Sequence, residues 1–331
     1  MRSSMKRYDS RYFYSTCNAD VLEQSLQPER MGSSLFSIND IYPAIKAFRS
    51  RLKSNGLANH TLFFAKVDVQ SCFDTIPQDQ LLSLLSSFLC TEDYRVSRHI
   101  EVAPPERYQS HDKRITTVKP RIKFAISARA AGDFSTFEQI VEQQFGIDKS
   151  KTVFVDGGAQ QLQSKHNVLQ MISEHVRNNM VKIGKKFYRQ KRGIPQGSIL
   201  STILCNLFYA DFEANCLTFL RRDDTLLLRL IDDFLVISTE REPVERFLRT
   251  MHDGQMDYGV SVKKEKSLVN FSTSLDGRLV KCLGTDGGFP YCGVHIDTKS
   301  LDVSKEHDPN KLKRMFHRIG LFNVILTFAQ K

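Results

Sequence analysis

The stretch RLIDDFLVIST (residues 229–239) sets two adjacent aspartates, Asp232 and Asp233, between two short apolar runs. Leu226–Ile231 precede the pair and Phe234–Ile237 follow it. Each run has the length and composition of a strand buried on both faces. Like charges in such a place repel, and a buried carboxylate without a counter-charge is costly. Two explanations stand open. A two-residue connection between apolar runs is the commonest hairpin loop, although the favoured pairs contain Gly and this one does not. Alternatively, a bound cation neutralises the pair.

The bulk properties narrow the class. A chain of 331 residues has room for two or three domains, or for one large domain with an insertion. Forty-seven Lys and Arg against 37 Asp and Glu leave a net charge of +10, which favours a polyanionic partner. Apolar runs stay shorter than a membrane span, and MRSSMKRYDS does not read as a signal peptide. Seven cysteines (Cys17, Cys72, Cys90, Cys205, Cys216, Cys282, Cys292) form no C-x-x-C pair. They read as reduced, buried thiols of an intracellular protein rather than a zinc site or a disulfide frame.

Periodicity supplies the elements. Ile41, Ile45 and Phe48 predict a helix over 38–53, and TLFFAKVDV (61–69) predicts a strand. Pro77 opens a helix with Leu81, Leu84, Leu85 and Phe88 on one face. Between Arg95 and Lys123, eight Lys and Arg face three Asp and Glu, with Pro104, Pro105 and Pro120 interrupting. This reads as a basic insertion, either a solvated loop or a nucleic-acid contact. Helical spacing returns over 160–181, KKFYRQ (185–190) reads as a strand, and RGIPQGS (192–198) is turn chemistry. A long helix follows, with Leu200, Ile203, Leu204, Leu207, Phe208 and Phe212 on one face. EPVERFLRTMHDG reads as a helix stopped by Gly254, VSVKKEKSLVNF as a strand segment, and FPYCGVHIDTKSLDV as a hairpin.

Asp68, near the end of TLFFAKVDV, is a third carboxylate. Alone it would read as the cap of the next turn. Beside an Asp-Asp hairpin on a neighbouring strand, it completes a set suited to two Mg²⁺ ions in phosphoryl transfer. In GIPQGS, Gly193 and Gly197 permit close backbone approach to a ligand. Gln196 and Ser198 stand at a helix N-terminus, which favours anions, and a capped helix after a turn is the alternative reading.

Taken in order, these motifs resemble the palm of reverse transcriptases, and more narrowly the telomerase reverse transcriptase family. FFAKVDVQSCFDTIPQ resembles that family's first aspartate motif, RGIPQGSILSTILCNLFYADFE its substrate helix, and LLLRLIDDFLVIST its catalytic hairpin. GVSVKKEKSLVNF and FPYCGVHIDTKSLDV resemble the two motifs that follow. The resemblance covers roughly residues 30–305. It implies an α+β fold, a reverse-transcriptase palm of antiparallel sheet packed on helices, with a fingers insertion and the start of a helical thumb. The implied divisions are a residual fingers segment (1–60), the first palm strand and helix (61–90), the basic fingers insertion (91–152), the rest of the palm (153–305) and a shortened thumb (306–331).

The resemblance also implies roles. Asp68 and Asp232 would be the main ligands of two Mg²⁺ ions, with Asp233 assisting. Phe73 would lie under the sugar and exclude ribonucleotides. Gln196 and Gly197 would contact the incoming nucleotide and template base, Lys266 the pyrophosphate leaving group, and Tyr291, Cys292 and Gly293 would form the primer grip. The activity implied is RNA-directed DNA synthesis on telomerase RNA, extending a telomeric single-stranded DNA primer with deoxynucleoside triphosphates. It would take place in the nucleus at telomeres, with accessory proteins and without a membrane. The family's RNA-binding domain and finger strands find no match upstream of Asp68, so a fragment with low activity alone is expected. A mobile-element or intron-type reverse transcriptase, and a catalytically silent RNA-binding scaffold, are the alternatives.

Overall fold

The computed structural model describes residues 28–104, 120–145, 151–283 and 288–305. Residues 1–27, most of the Pro-interrupted basic stretch and the expected thumb start lie outside them, as does Cys17. In chain order the elements are helix α1 (Ile41–Ser54), strand β1 (Phe63–Asp68), helices α2 (Cys72–Thr75) and α3 (Gln78–Phe88), and strands β2 (Asp93–Ala103) and β3 (Arg121–Ala130). Next come α4 (Phe137–Phe145), β4 (Val153–Ser164), α5 (Lys165–Arg177), β5 (Met180–Ile183), β6 (Lys186–Arg189) and α6 (Ile199–Cys216). The remainder is β7 (Thr225–Leu230), β8 (Asp233–Ser238), α7 (Arg241–Asp253), β9 (Leu268–Val269), β10 (Ser274–Leu275), β11 (Arg278–Leu279), β12 (Lys281–Cys282), β13 (Phe289–Tyr291), β14 (Val294–Ile296) and β15 (Val303–Lys305). The chain divides into two compact units, one holding residues 28–84 and 175–305, the other residues 85–174.

In the first unit a five-stranded sheet runs in the order β12-β9-β1-β8-β7. Its pairings are antiparallel except β12 with β9. Side chains alternate across the pleat, so β1 presents Phe64, Lys66 and Asp68 to one face and Ala65 and Val67 to the other. Opposite them on β8 stand Ile237, Leu235 and Asp233, then Val236 and Phe234. The Phe234 face packs on α6 and α7, with Phe234 6.3 Å from Phe212 and 6.4 Å from Phe247, ring to ring. The Phe64 face is covered by Ile41, Ile45, Phe48 and Leu52 of α1 and by Phe289, Tyr291 and Ile296 of the β13–β14 hairpin. Each fully buried aromatic or aliphatic chain here contributes roughly 1.5–3 kcal/mol over an exposed one. The result is the α+β palm architecture.

Several elements differ locally from expectation. α6 is buried nearly all round, Ser201, Asn206 and Glu213 included, rather than along one stripe. It is a central helix and has no solvent face to mark with polar residues. A 3₁₀ turn (Ile38–Asp40), capped by Ser37, precedes α1. The KKEK segment is a 3₁₀ turn (Lys264–Lys266), with only Leu268–Val269 in a strand.

The second unit is a three-stranded antiparallel sheet, β3-β2-β4, with α4. Phe137 of α4 covers the buried His99 ring at 5.9 Å. The insertion is therefore sheet where it is described, and it continues past residue 152. β4 (Val153–Ser164), expected to open the second palm segment, pairs with β2 instead. This also explains why the helix expected from 160 begins only at Lys165.

Candidate active site

The catalytic-type hairpin turns one residue earlier than the sequence suggested. Leu230 pairs with Asp233, so the two-residue connection is Ile231–Asp232 and Asp233 is the first residue of β8. Ile231 takes φ 58°, unusual for a β-branched residue and suited to the first central position of a type II′ turn. The register then places Asp233 directly across from Asp68. The Val69 amide donates to the Asp232 carbonyl at 2.9 Å, tying the turn to the end of β1.

These carboxylates border a cavity of about 810 Å³ whose lining includes Lys66, Asp68, Phe73, Gln196, Asp232 and Gly293. Two lysines answer their charge. The Lys266 ammonium lies 2.5 Å from Asp68 Oδ2, and the Lys66 ammonium lies 3.6 Å from Asp233 Oδ1 and 5.9 Å from the centre of the Tyr291 ring. Burial alone would lower the Lys66 pKa, but Asp233, Cys292 and Asp68 more than reverse this and hold it above the ordinary lysine value. Lys66 was not singled out from sequence. The available signal was its position two residues before Asp68, which puts both on one face of a strand.

Phe73, on α2, is half-buried and borders the cavity. Its carbonyl accepts from the Ile194 amide at 2.7 Å. Gln196 donates to both oxygens of Asp74, at 3.3 and 3.2 Å. Gly197, at φ 87°, is not among the lining residues. Gly193 answers to protein rather than ligand. It has φ 75°, and a Cβ there would run into the Phe73 carbonyl and the Asp74 backbone. Ser198 stands at the N-cap of α6 without a side-chain capping bond.

The expected primer grip divides. Tyr291 is fully buried and donates its hydroxyl to the Asp233 carbonyl at 3.0 Å, so its ring is core. Cys292, at φ 45°, donates its thiol to Asp233 Oδ2 at 3.6 Å, and burial with the nearby Asp233 charge pushes that thiol pKa well up. Gly293, at φ 83°, completes the turn at the cavity edge. The six described cysteines are free, with Cys72, Cys205 and Cys292 buried but Cys90 and Cys282 exposed.

Behind the turn lies a buried ion pair. Arg229, fully buried on β7, donates to Glu213 Oε1 at 2.5 Å, Asn206 Oδ1 at 2.9 Å and Ser34 Oγ at 2.5 Å. The Tyr209 and Phe234 rings flank its guanidinium, each at 5.7 Å. Backbone bonds join Leu35 to the Arg229 carbonyl and Arg229 to the Ser33 carbonyl. The strand leading into the carboxylate turn is thereby locked to α6 and to the Met31–Leu35 segment.

The donor set of Asp68, Asp232 and Asp233 is hard oxygen, which fits a divalent cation such as Mg²⁺ that completes its shell with substrate phosphates and water. Among the described residues, no three His, Cys, Asp or Glu are gathered into a ready-made metal cage.

Residues 152–296 match the family described as reverse transcriptase (RNA-dependent DNA polymerase). The telomerase reverse transcriptase of Bos taurus is 31% identical over 295 residues, and that of Canis lupus familiaris 29% over 306, each covering 86% of this chain. The chain spans 25% of the length of either relative. Among solved structures, telomerase from Candida tropicalis in complex with a fragment of telomeric RNA superimposes with a TM-score of 0.60. That match has 18% identity and covers 97% of this chain and 44% of that one. Telomerase from Candida albicans, also with a telomeric RNA fragment, gives 0.59 at 20% identity, covering 92% and 41%. The carboxylate-bearing palm thus matches a reverse-transcriptase family over residues 152–296, and 86% of the chain is similar to telomerase reverse transcriptases.

Proposed function

We propose that this chain performs RNA-directed DNA synthesis of the telomerase type, copying a telomerase RNA template onto the 3′ end of a telomeric DNA primer in the nucleus. The observation that carries the reading is the register pair Asp68–Asp233, with Asp232 in the adjoining turn, at the edge of a cavity large enough for a nucleotide. Asp68 and Asp232, assisted by Asp233, would hold two Mg²⁺ ions. When bound, these supply Lewis-acid stabilisation of the attacking and leaving oxygens. Phe73 bears on the sugar and disfavours a 2′-OH by bulk. Gln196, on the cavity lining before α6, orients the base and its template partner. Lys266 offsets charge on the departing pyrophosphate. The Cys292–Gly293 turn steadies the primer end, backed by the buried Tyr291.

Primer extension by the full-length protein carrying this sequence tests the reading. Asp68→Ala and Asp232→Ala should each abolish extension while RNA association stays near normal, because the carboxylates serve the chemistry rather than the fold. Near-normal extension by either variant refutes the carboxylate assignment, whereas a wild-type protein that binds RNA without extending the primer would make the RNA-binding scaffold the better description.

A further inference from the structure

The face of β1 that carries Asp68 carries Lys66 two residues earlier, roughly 6.5 Å back along the strand. The β13 hairpin tracks this face residue by residue. Phe289 lies against Phe64 at 5.2 Å, Tyr291 under Lys66, and Cys292 against Asp233. Phe73 and Asp74 follow the Asp68 end of β1, and Gln196 is hydrogen-bonded to Asp74. The carboxylates share the cavity lining with two groups, Phe73 and Gln196 beside Asp74, and Lys66 with the Cys292–Gly293 turn beside Asp233.

On the polymerase reading, a nucleotide whose sugar rests on Phe73 takes the first group. The primer's 3′-terminal nucleotide is left for the second. Its attacking hydroxyl approaches the carboxylates, and the nearest anion it brings is its own 5′ phosphodiester. We propose that Lys66 binds the phosphodiester of the primer's terminal nucleotide.

The ammonium is suited to this by its surroundings. Tyr291 below and Asp233 beside it fix the direction of its tip. At 3.6 Å, its contact with Asp233 is longer than a charge-assisted hydrogen bond. An ammonium has three donors, so it keeps capacity for a further acceptor. Lys266 approaches Asp68 from the segment before β9, which leaves the two lysines on different carboxylates. One serves the primer and the other the departing pyrophosphate.

The competing role for Lys66 is that of a counter-ion to Asp233 alone. The two separate by salt dependence. A fluorescein-labelled DNA primer annealed to an RNA template is titrated with the chain at several KCl concentrations, for wild type, Lys66→Met and Lys66→Arg. In the full-length protein, KM is measured separately for primer and for deoxynucleotide. Lys66→Met should weaken primer binding about tenfold, lower the slope of log affinity against log salt by about one, and leave the nucleotide KM unchanged. Lys66→Arg should restore the slope. If Lys66→Met does not fold, as judged by its circular dichroism melt, Lys66→Gln takes its place with the same expectation. An unmoved primer KM and salt slope, or equal rises in both KM values, overturns the proposal. Absence of any primer extension by the wild-type full-length protein would overturn the polymerase reading instead, so the two failures are distinct.

Discussion

Arg229→Met replaces a fully buried guanidinium with an apolar chain of similar length and strands its partner. Glu213 is 6% exposed and would lose its 2.5 Å bond to Arg229. It would keep the Ser33 amide at 2.7 Å and the Ser33 hydroxyl at 2.8 Å. Breaking a buried pair by removing one partner costs about 3–5 kcal/mol. The two remaining donors move Glu213 toward the lower end, while Asn206 and Ser34 each forfeit a bond of about 1 kcal/mol. The expected loss is about 5 kcal/mol, a large share of the 5–15 kcal/mol typical of a folded domain. Urea unfolding of the chain, followed by circular dichroism, should show the midpoint falling with an unchanged slope. Adding Glu213→Gln removes the stranded charge, so the double variant should be more stable than the two single losses added together. A loss below about 1 kcal/mol, or strict additivity, would refute the account of a coupled buried pair.

Gly193→Ala should destabilise the chain and dislodge α2, because φ 75° is strained for any other residue and the added methyl meets the Phe73 carbonyl. An unchanged thermal midpoint would show that the turn relaxes freely. Phe73→Ala, in the full-length protein, should raise kcat/KM for ribonucleotides relative to deoxynucleotides, since the ring borders the cavity and excludes by bulk. A fixed ratio with both values reduced would assign Phe73 to packing.

The palm strands and the catalytic-type carboxylates were legible because burial on both faces leaves an uninterrupted apolar run, and an Asp inside such a run stands out. Asp68 and Asp233 could be matched in kind but not in register, since nothing local says which residue faces which across a sheet. The turn was misplaced by one residue for a related reason. Sequence favours Asp over Ile at a turn, and the paired strands override that preference at Ile231. Lys66 and Arg229 went unremarked because a charged residue in a strand signals exposure unless its partners are known. Those partners lie far away in sequence, at Asp233 for one and at Ser34, Asn206 and Glu213 for the other. Tyr291 misled in the opposite sense, since a polar-tipped ring beside Cys-Gly suits a binding surface as well as a core. The insertion sheet was missed because its strands are long, charged and interrupted by prolines at their ends.

The pairing of Asp68 with Asp233 has a consequence for how such a site persists while the surrounding sequence drifts. Directly opposed residues in an antiparallel ladder keep their Cα atoms about 4.5–5.5 Å apart, whatever the side chains are. The interval between the two carboxylate stems is therefore a property of peptide geometry. Substitutions elsewhere in β1 and β8 can change stability, solubility or the packing beneath, yet the ruler between the two acids stays the same length. Only a slip of register can spoil it, and a slip of one residue would turn Phe234 toward the cavity face and Asp233 into the aromatic core.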